Sequence, residues 1–363
     1  MASRRLKAAV VGATGVAGQQ FLVALAGHPL FEVTRLAASA RSAGKKYIDA
    51  IRTDAGQVQW HCTEPLPAEF AGIRVDEGGS MPMKGIDVVF SALESDAARK
   101  LEPVYAETAG VFSTASAFRY EPDVPIVIPG VNHEHVKMID VQRKRRGWRG
   151  FVLPGPNCTV TGLAITLKPL HDAFGVRSVV LTTMQSVSGA GRSPGVLALD
   201  ITDNVIPFIA KEEEKVEKEA QKILGGLKNG KFSPLAMNVS ATCTRVPVLE
   251  AHTESVFVSL KKKATPDQVK KVMRAFGRDF VRKGLHSVPQ EMIIVHDDPY
   301  RPQPRLDRDN GRGMSTTVGR IREDKVLPNG IKYVLVSHNT RMGAGCGAVM
   351  TAEYVASQGY FRK

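Results

Sequence analysis

Val10-Val11-Gly12-Ala13-Thr14-Gly15-Val16-Ala17-Gly18 is the stretch whose reading decides the fold. Its glycines fit G-x-x-G-x-x-G between an apolar run, Lys7–Val11, and a helical pattern, Val16–Ala26. Glycine at these points lets the backbone turn tightly, approach a pyrophosphate, and pack helix on strand. The helix start then offers unpaired N–H groups to phosphate. A strand-loop-helix of this kind predicts a dinucleotide-binding domain, and a merely tight turn is the blander alternative. Working outward, strands are expected at Glu32–Ala38, Asp87–Ala92, Val111–Phe112 and Ile126–Ile128. Strands alternating with helices argue for a parallel sheet covered on both faces.

About 20 residues past the glycine loop, an NAD site usually carries a carboxylate for the ribose 2′-hydroxyl. Here the second strand runs into Ser39-Ala40-Arg41-Ser42-Ala43-Gly44-Lys45, which has none. Hydroxyls and cations suit a 2′-phosphate, so NADP is the expected cofactor.

Composition bounds the rest. The chain has 363 residues, 43% of them apolar and 23% charged, which suits a soluble globular protein of about two domains. Lys and Arg number 49 against 36 Asp and Glu, a net charge of +13 with pI near 9.6. That excess favours anionic partners without choosing among nucleic acid, membrane surface and small phosphates. No apolar run reaches the ~18 residues of a membrane span. Met1–Val11 imitates a signal peptide but breaks at Gly12, Thr14 and Gly15, so it reads as a strand entering a turn. The four cysteines (Cys62, Cys158, Cys243, Cys346) show neither metal-ligand spacing nor a disulfide pattern, and the expected setting is the cytoplasm.

Arg143, Lys144, Arg145, Arg146 and Arg149 read as a basic domain margin. Beyond Cys158 the pattern predicts a helix over Gly162–His171, a strand over Ser178–Met184 and a Gly/Ser loop over Ser186–Gly195. A charged helix at Lys211–Leu224 and strands at Thr244–Val248 and Ser255–Leu260 follow. A helix over Asp267–Lys283, a strand at Tyr333–Ser337 and a last helix over Gly347–Gln358 complete the chain.

Cys158 stands in Pro154-Gly155-Pro156-Asn157-Cys158-Thr159, where a Pro/Gly turn feeds a helix. A thiol near a helix N-terminus has its thiolate stabilised and is a nucleophile for carbonyl carbon. The other cysteines read as small apolar filler. Among nine histidines His252 is the candidate acid/base, seven positions after Arg245. On an unbroken strand an odd spacing sends the two to opposite faces, and only a bend near Pro247 brings them together. Glu212 and Lys215 share a helix face and suit a zwitterionic substrate, yet amid Glu213, Glu214, Glu217 and Glu219 they read first as a solvated, salt-bridged surface.

These pieces in this order resemble aspartate-semialdehyde dehydrogenase, in its fungal and archaeal branch. The resemblance runs from GATGVAG to HNTRMGAG. It is carried by PNCT around Cys158, MQSVSGAG at Met184–Gly191 and DNVIPFIAKEEEK at Asp203–Lys215. RVPVLEAHTE at Arg245–Glu254 and RPQPRLDRDNGRGM at Arg301–Met314 add to it.

The resemblance implies NADPH-dependent reduction of aspartyl phosphate to aspartate semialdehyde and phosphate, on the route to lysine, threonine and methionine. By position Cys158 is the nucleophile, His252 the acid/base and Gln185 the residue that orients the acyl group. Arg245 holds the substrate carboxylate, Glu212 its ammonium group, and Lys215 and Arg119 the phosphate. Gly12, Thr14, Gly15, Val16, Gly18, Ser39, Arg41 and Ser42 hold NADP, with Ser188, Gly189 and Asn339 nearer the nicotinamide. Thr114 stands where the family usually has Asn.

The implied architecture is a Rossmann-type domain, 1–157 with 340–363, and an α+β catalytic and dimerisation domain, 158–339, of the glyceraldehyde-3-phosphate-dehydrogenase-like type. A homodimer or homotetramer follows from the family. No metal, nucleic acid or membrane partner is expected. A malonyl-CoA reductase or another acyl reductase is the alternative within enzymes, though malonyl-CoA has no amino group for Glu212. A basic nucleic-acid-binding protein using Arg143–Arg149 is the alternative outside them, without an aromatic RNA-binding motif or zinc spacing to support it.

Overall fold

The computed structural model describes residues 4–191 and 195–361. The chain divides into two compact units. One comprises Met1–Val127, Glu134–Gly155 and Ala344–Lys363, the other Ile128–His133 and Pro156–Gly343. The boundary ahead of Cys158 follows Gly155, which still donates its N–H to the Ser113 carbonyl at 2.8 Å. The last falls before Ala344 rather than Thr340, because the Gly343 N–H closes a turn onto the His338 carbonyl at 2.9 Å.

The first unit is a six-stranded parallel sheet: β1 (Leu6–Val11), β2 (Phe31–Ala38), β3 (Val75–Glu77), β4 (Val88–Ser91), β5 (Gly110–Ser113) and β6 (Phe151–Pro154). Their order, β3-β2-β1-β4-β5-β6, is that of the doubly wound dinucleotide fold. Strands covered on both faces read as unbroken apolar runs, and β4, β5 and β6 are buried at every position. One face packs Ala9, Val11, Val89, Val111 and Val152 with Ala98, Tyr105 and Ala106 of the Ser95–Ala106 helix. Phe90 lies 5.3 Å from Phe21 of the Val16–Leu25 helix and 5.9 Å from Phe112 between ring centroids.

Ile126–Ile128, expected as a strand, is buried but not in the sheet. Pro125 and Pro129 flank it, Asn132 Oδ1 accepts the Ile128 N–H at 2.8 Å, and β6 takes the place beside β5. The strand Phe151–Pro154 is only four residues long and directly follows the basic run, too short to show a period.

The second unit is built on a six-stranded mixed sheet. Its strands include β7 (Val176–Gln185), a small hairpin β8 (Gly226–Lys228) and β9 (Lys231–Ser233) outside the sheet, β10 (Asn238–Arg245) and β11 (His252–Leu260). β12 (Ile293–Val295), β13 (Thr316–Asp324) and β14 (Gly330–Ser337) follow, in the spatial order β10-β7-β11-β14-β13-β12. β7 runs parallel to β10 and antiparallel to β11. The strand expected at Thr244–Val248 instead ends at Arg245, ahead of Pro247. The helix expected over Asp267–Lys283 breaks: Pro266–Ala275 carries a Thr265/Gln268 capping box, and Gly277 at φ +76° starts a separate turn. The loop expected at 186–195 begins with a helical turn, Val187–Ala190; positions 192–194 lie outside the described residues.

Candidate active site

Cys158 is the first residue of a 17-residue helix, Cys158–Phe174. Asn157 caps it: Oδ1 accepts the N–H groups of Thr159 at 2.9 Å and Val160 at 3.2 Å. Asn157 is itself fixed by two carboxylates. Its N–H donates to Glu219 at 2.7 Å, and its Nδ2 donates to Glu212 Oε1 at 2.8 Å. The sulfur therefore sits at the positive end of a clamped helix, 3.2 Å from Nε2 of His252.

Arg245 and His252 do not share a strand. Arg245 ends β10, the chain crosses the end of β7, and His252 begins β11. Arg245 pairs in register with Gln185, the last residue of β7, and Thr253 pairs with Met184. Three strand ends thus meet, and the odd spacing that forbids assembly on one strand is no obstacle across two. His252 is fully buried. Burial pulls its pKa down to about 3, with Arg245 and His338 acting the same way and Glu212 opposing. The resting ring is neutral. Its Nδ1 accepts the Ser186 backbone N–H at 3.1 Å, which places the remaining proton on Nε2, facing the sulfur.

Glu212 is not the solvated surface group its neighbours suggested. It is 5% exposed, and its helix, Glu212–Ile223, buries Glu212, Val216, Glu219, Ala220 and Ile223. That stripe at helical spacing was the signal available in the sequence: Val216, Ala220 and Ile223 extend back to Glu212. Burial favours the protonated form, but Lys215 at 3.3 Å and the Asn157 amide outweigh it, and the pKa lies below the ordinary glutamate value. Gln185 Nε2 also donates to Glu212 Oε1, at 3.3 Å. Arg245 is 6% exposed and donates from Nη1 to the Ser186 carbonyl at 2.8 Å. Gly189 lies against this cluster. A Cβ there would stand 3.0 Å from both Arg245 Nη1 and His252 Cε1.

Sequence reasoning missed Ser186 and Glu250. Asn339 Oδ1 accepts the Ala251 N–H at 2.9 Å and the Ser186 hydroxyl at 3.2 Å, and Nδ2 donates to Ser188 Oγ at 2.8 Å. Ser188 and Thr340 both donate to Glu250 Oε2, at 2.9 and 3.1 Å.

In the first unit, Gly12 at φ +75° donates its N–H to the Ala37 carbonyl at 2.8 Å, and a Cβ on it would fall 2.4 Å from the Ala92 carbonyl oxygen. A Cβ on Gly18 would fall 2.2 Å from the Gly12 carbonyl oxygen. Gly15 caps the helix without a side-chain bond, leaving first-turn N–H groups for a ligand, beside Thr14 and Val16. Past the end of β2, Ser39 and Arg41 are exposed and Ser42 is buried. These residues fit a phosphorylated dinucleotide. Arg119 also belongs to this unit, where its Nη2 donates to the Thr114 carbonyl at 3.0 Å. That bond uses backbone, so Thr in place of the family's Asn leaves it intact. No cluster of metal ligands occurs among the described residues.

Residues 7–139 match the family described as semialdehyde dehydrogenase, NAD binding domain, and residues 167–342 match its dimerisation domain. The aspartate-semialdehyde dehydrogenase of Methanothermobacter thermautotrophicus is 46% identical over 347 residues, covering 95% of this chain and 97% of that one. The crystal structure of the Candida albicans aspartate semialdehyde dehydrogenase with NADP superposes with a TM-score of 0.88 at 40% identity, covering 98% and 99% of the two chains. Aspartate semialdehyde dehydrogenase II of Vibrio cholerae, complexed with ASA, gives 0.77 at 27% identity, covering 98% and 99%. With both domains matched and near-complete coverage by relatives above 40% identity, the chain belongs to the aspartate-semialdehyde dehydrogenase family.

Proposed function

We propose that the chain interconverts L-4-aspartyl phosphate and L-aspartate 4-semialdehyde with NADP as cofactor, through a thioester on Cys158. The observation that carries this reading is the 3.2 Å contact of Cys158 Sγ with His252 Nε2 at a capped helix start. Arg245 and Glu212 are buried in the same cluster. A buried guanidinium and a buried carboxylate held ionised are the pair a small amino-acid substrate needs for its carboxylate and ammonium.

The Cys158 thiolate attacks the acyl carbon, the C–O bond to phosphate breaks, and phosphate leaves with the bonding pair. Covalent capture splits one difficult displacement into two easier steps. N–H groups at the start of the Cys158 helix stabilise the oxyanion that develops. Gln185, held by Glu212, orients the acyl group. Lys215 and Arg119 are the phosphate-binding cations. Bound NADPH supplies the hydride that brings the acyl group to the aldehyde level. His252 takes the hydroxyl proton of the Cys158 thiohemiacetal as the C–S bond breaks and its electron pair returns to sulfur. In the reverse direction phosphate cleaves the thioester.

Gly12, Thr14, Gly15, Val16, Gly18, Ser39, Arg41 and Ser42 hold the cofactor, with Ser188, Gly189 and Asn339 toward the nicotinamide. The reaction belongs to aspartate-family amino-acid biosynthesis. No helix among the described residues is long and apolar enough to cross a membrane, and the four cysteines form no disulfide, which supports the cytoplasm as the setting. The purified chain is assayed for NADP-dependent oxidation of aspartate semialdehyde with and without phosphate. Phosphate-dependent turnover is expected. Robust malonyl-CoA reduction without semialdehyde turnover contradicts the reading.

A further inference from the structure

A histidine that both gives and takes a proton at Nε2 must be able to carry its other proton on Nδ1. In the resting geometry Nδ1 faces a donor, the Ser186 N–H at 3.1 Å. That contact alone would lock Nε2 as a permanent N–H and leave it unable to accept the thiol proton. Ser186 offers a second pole. Its Oγ lies 3.3 Å from the same Nδ1. A hydroxyl has one proton and two lone pairs, so its role toward Nδ1 depends on where that proton is spent.

Asn339 settles it. The Ala251 N–H is an unambiguous donor and bonds Asn339 Oδ1 at 2.9 Å, which fixes the amide orientation. The same Oδ1 accepts the Ser186 hydroxyl proton at 3.2 Å, while Nδ2 is anchored on Ser188 at 2.8 Å. With its proton directed to Asn339 rather than to Ser188 Oγ, which lies 3.2 Å away and already accepts from Asn339 Nδ2, Ser186 Oγ keeps a lone pair for an Nδ1–H. Ala251, next to His252, is fully buried and sits at φ +74°, a left-handed conformation that a residue with a Cβ rarely adopts. The Asn339 bond to its N–H holds the backbone that aims the imidazole at Cys158.

We propose that Asn339 is a positioning residue for the Cys158–His252 couple, acting through the Ser186 hydroxyl and the Ala251 N–H. It lets Nδ1–H be accepted by Ser186 Oγ, so that Nε2 takes the Cys158 proton and the thiolate forms. The step starts from the neutral Nδ1–H tautomer, reached from the resting Nε2–H form by proton exchange with water. The S–H bond breaks, its electron pair stays on sulfur, and the proton joins the free lone pair of Nε2 to give an imidazolium whose Nδ1–H is held by Ser186 Oγ. The ionisable groups around the ring are Cys158 from its helix, Glu212 from the helix it begins, Arg245 from the end of β10 and His338 after β14. Glu250, with Arg308 and Arg341 acting on it, lies on the far side of Ser188. None of these bonds Nδ1, so the Ser186–Asn339 pair sets its partner.

This inference rests on the proposed role of Cys158, and its test reads the thiol without any substrate. The rate of iodoacetamide alkylation at Cys158, located by peptide mass, is followed against pH in the intact protein. Asn339→Ala and Ser186→Ala are expected to slow it about tenfold at pH 7, the lower end of what removing the partner that orients a metal-bound histidine costs. Ser186→Thr keeps the hydroxyl and is expected to alkylate within about twofold of the parent. Asn339→Asp still accepts from Ser186 and Ala251 and adds a negative charge that favours the imidazolium. Its pH midpoint should move down where that of Asn339→Ala moves up. If Asn339→Ala destabilises the fold, the isosteric Asp variant and Ser186→Ala carry the test. An Asn339→Ala protein with weakened NADP binding and unchanged alkylation overturns the proposal, as does an Asp variant that behaves like Ala. Failure of the Cys158 reading looks different: Cys158→Ala would retain turnover.

Discussion

Glycine 189 shows how a missing side chain shapes a site. Its Cα faces Arg245 and the His252 ring closely enough that a methyl group would meet both at 3.0 Å. Gly189→Ala is therefore expected to lower kcat/KM for aspartate semialdehyde at least tenfold while the melting temperature stays within a few degrees; unchanged kinetics would mean that the loop yields freely. A second residue speaks to stability. Glu254, two positions past His252 on β11, is fully buried, and neither carboxylate oxygen has a hydrogen-bond partner among the described residues. Burial raises its pKa well above the ordinary value. The folded state keeps a proton that the unfolded chain releases near pH 4.5, so stability falls as pH rises from there toward the raised value. Glu254→Gln has no proton to lose. Its Tm should exceed that of the parent at pH 8 by more than at pH 5, and a pH-independent difference would refute this. Residues like these were the least legible in the sequence. Cys158 announced itself by its Pro/Gly approach, whereas Glu212 looked like surface because its four acidic neighbours hide an apolar stripe.

At the scale of elements, the glycine loop and the strand after it carried the most readable signal. Gly12 and Gly18 sit where any Cβ would strike backbone, so local chemistry and tertiary packing demand the same residue. Past the end of the second strand at Ala38 run Ser39-Ala40-Arg41-Ser42, where the exposed Arg41 offers a charge to a 2′-phosphate. Arg41→Ala is expected to reduce the NADP over NAD preference in kcat/KM about tenfold, the loss of one charge-assisted bond. Equal efficiency with both cofactors in the parent chain would defeat the assignment. Elements defined by pairing were harder to see. Ile126–Ile128 is as apolar as a strand, yet its flanking prolines and the competing β6 exclude it from the sheet. The Arg245–His252 relation was unreadable because it depends on β7 lying between two strands that are consecutive in the chain.

For the whole molecule, the charge excess of +13 divides into parts with different work. Of the basic run once weighed as a nucleic-acid patch, Arg146 pairs with Asp123 at 2.6 Å and lies over the Trp148 ring, and Arg143 donates to the Tyr360 carbonyl at 2.9 Å. Both are structural. The mixed sheet of the second unit turns Met184, Thr182 and Val180 of β7 to the face away from His252, opposite Thr253, Ser255 and Phe257 of β11. Val180 is 44% exposed there. This face fits the homo-oligomer that a dimerisation domain implies. Light scattering should give about twice the 39.3 kDa chain mass, or four times if dimers pair, and Val180→Glu should shift it toward monomer; a monomeric parent would contradict the assembly.

Cys158 is the residue proposed to carry the acyl group. The purified protein is mixed with NADP and aspartate semialdehyde without phosphate, quenched in acid, and analysed by intact and peptide mass. One aspartyl adduct is expected on the peptide containing Cys158, released when phosphate is added before the quench and absent from a Cys158→Ala protein that still binds NADP. An adduct on another residue, or turnover by Cys158→Ala, would contradict it.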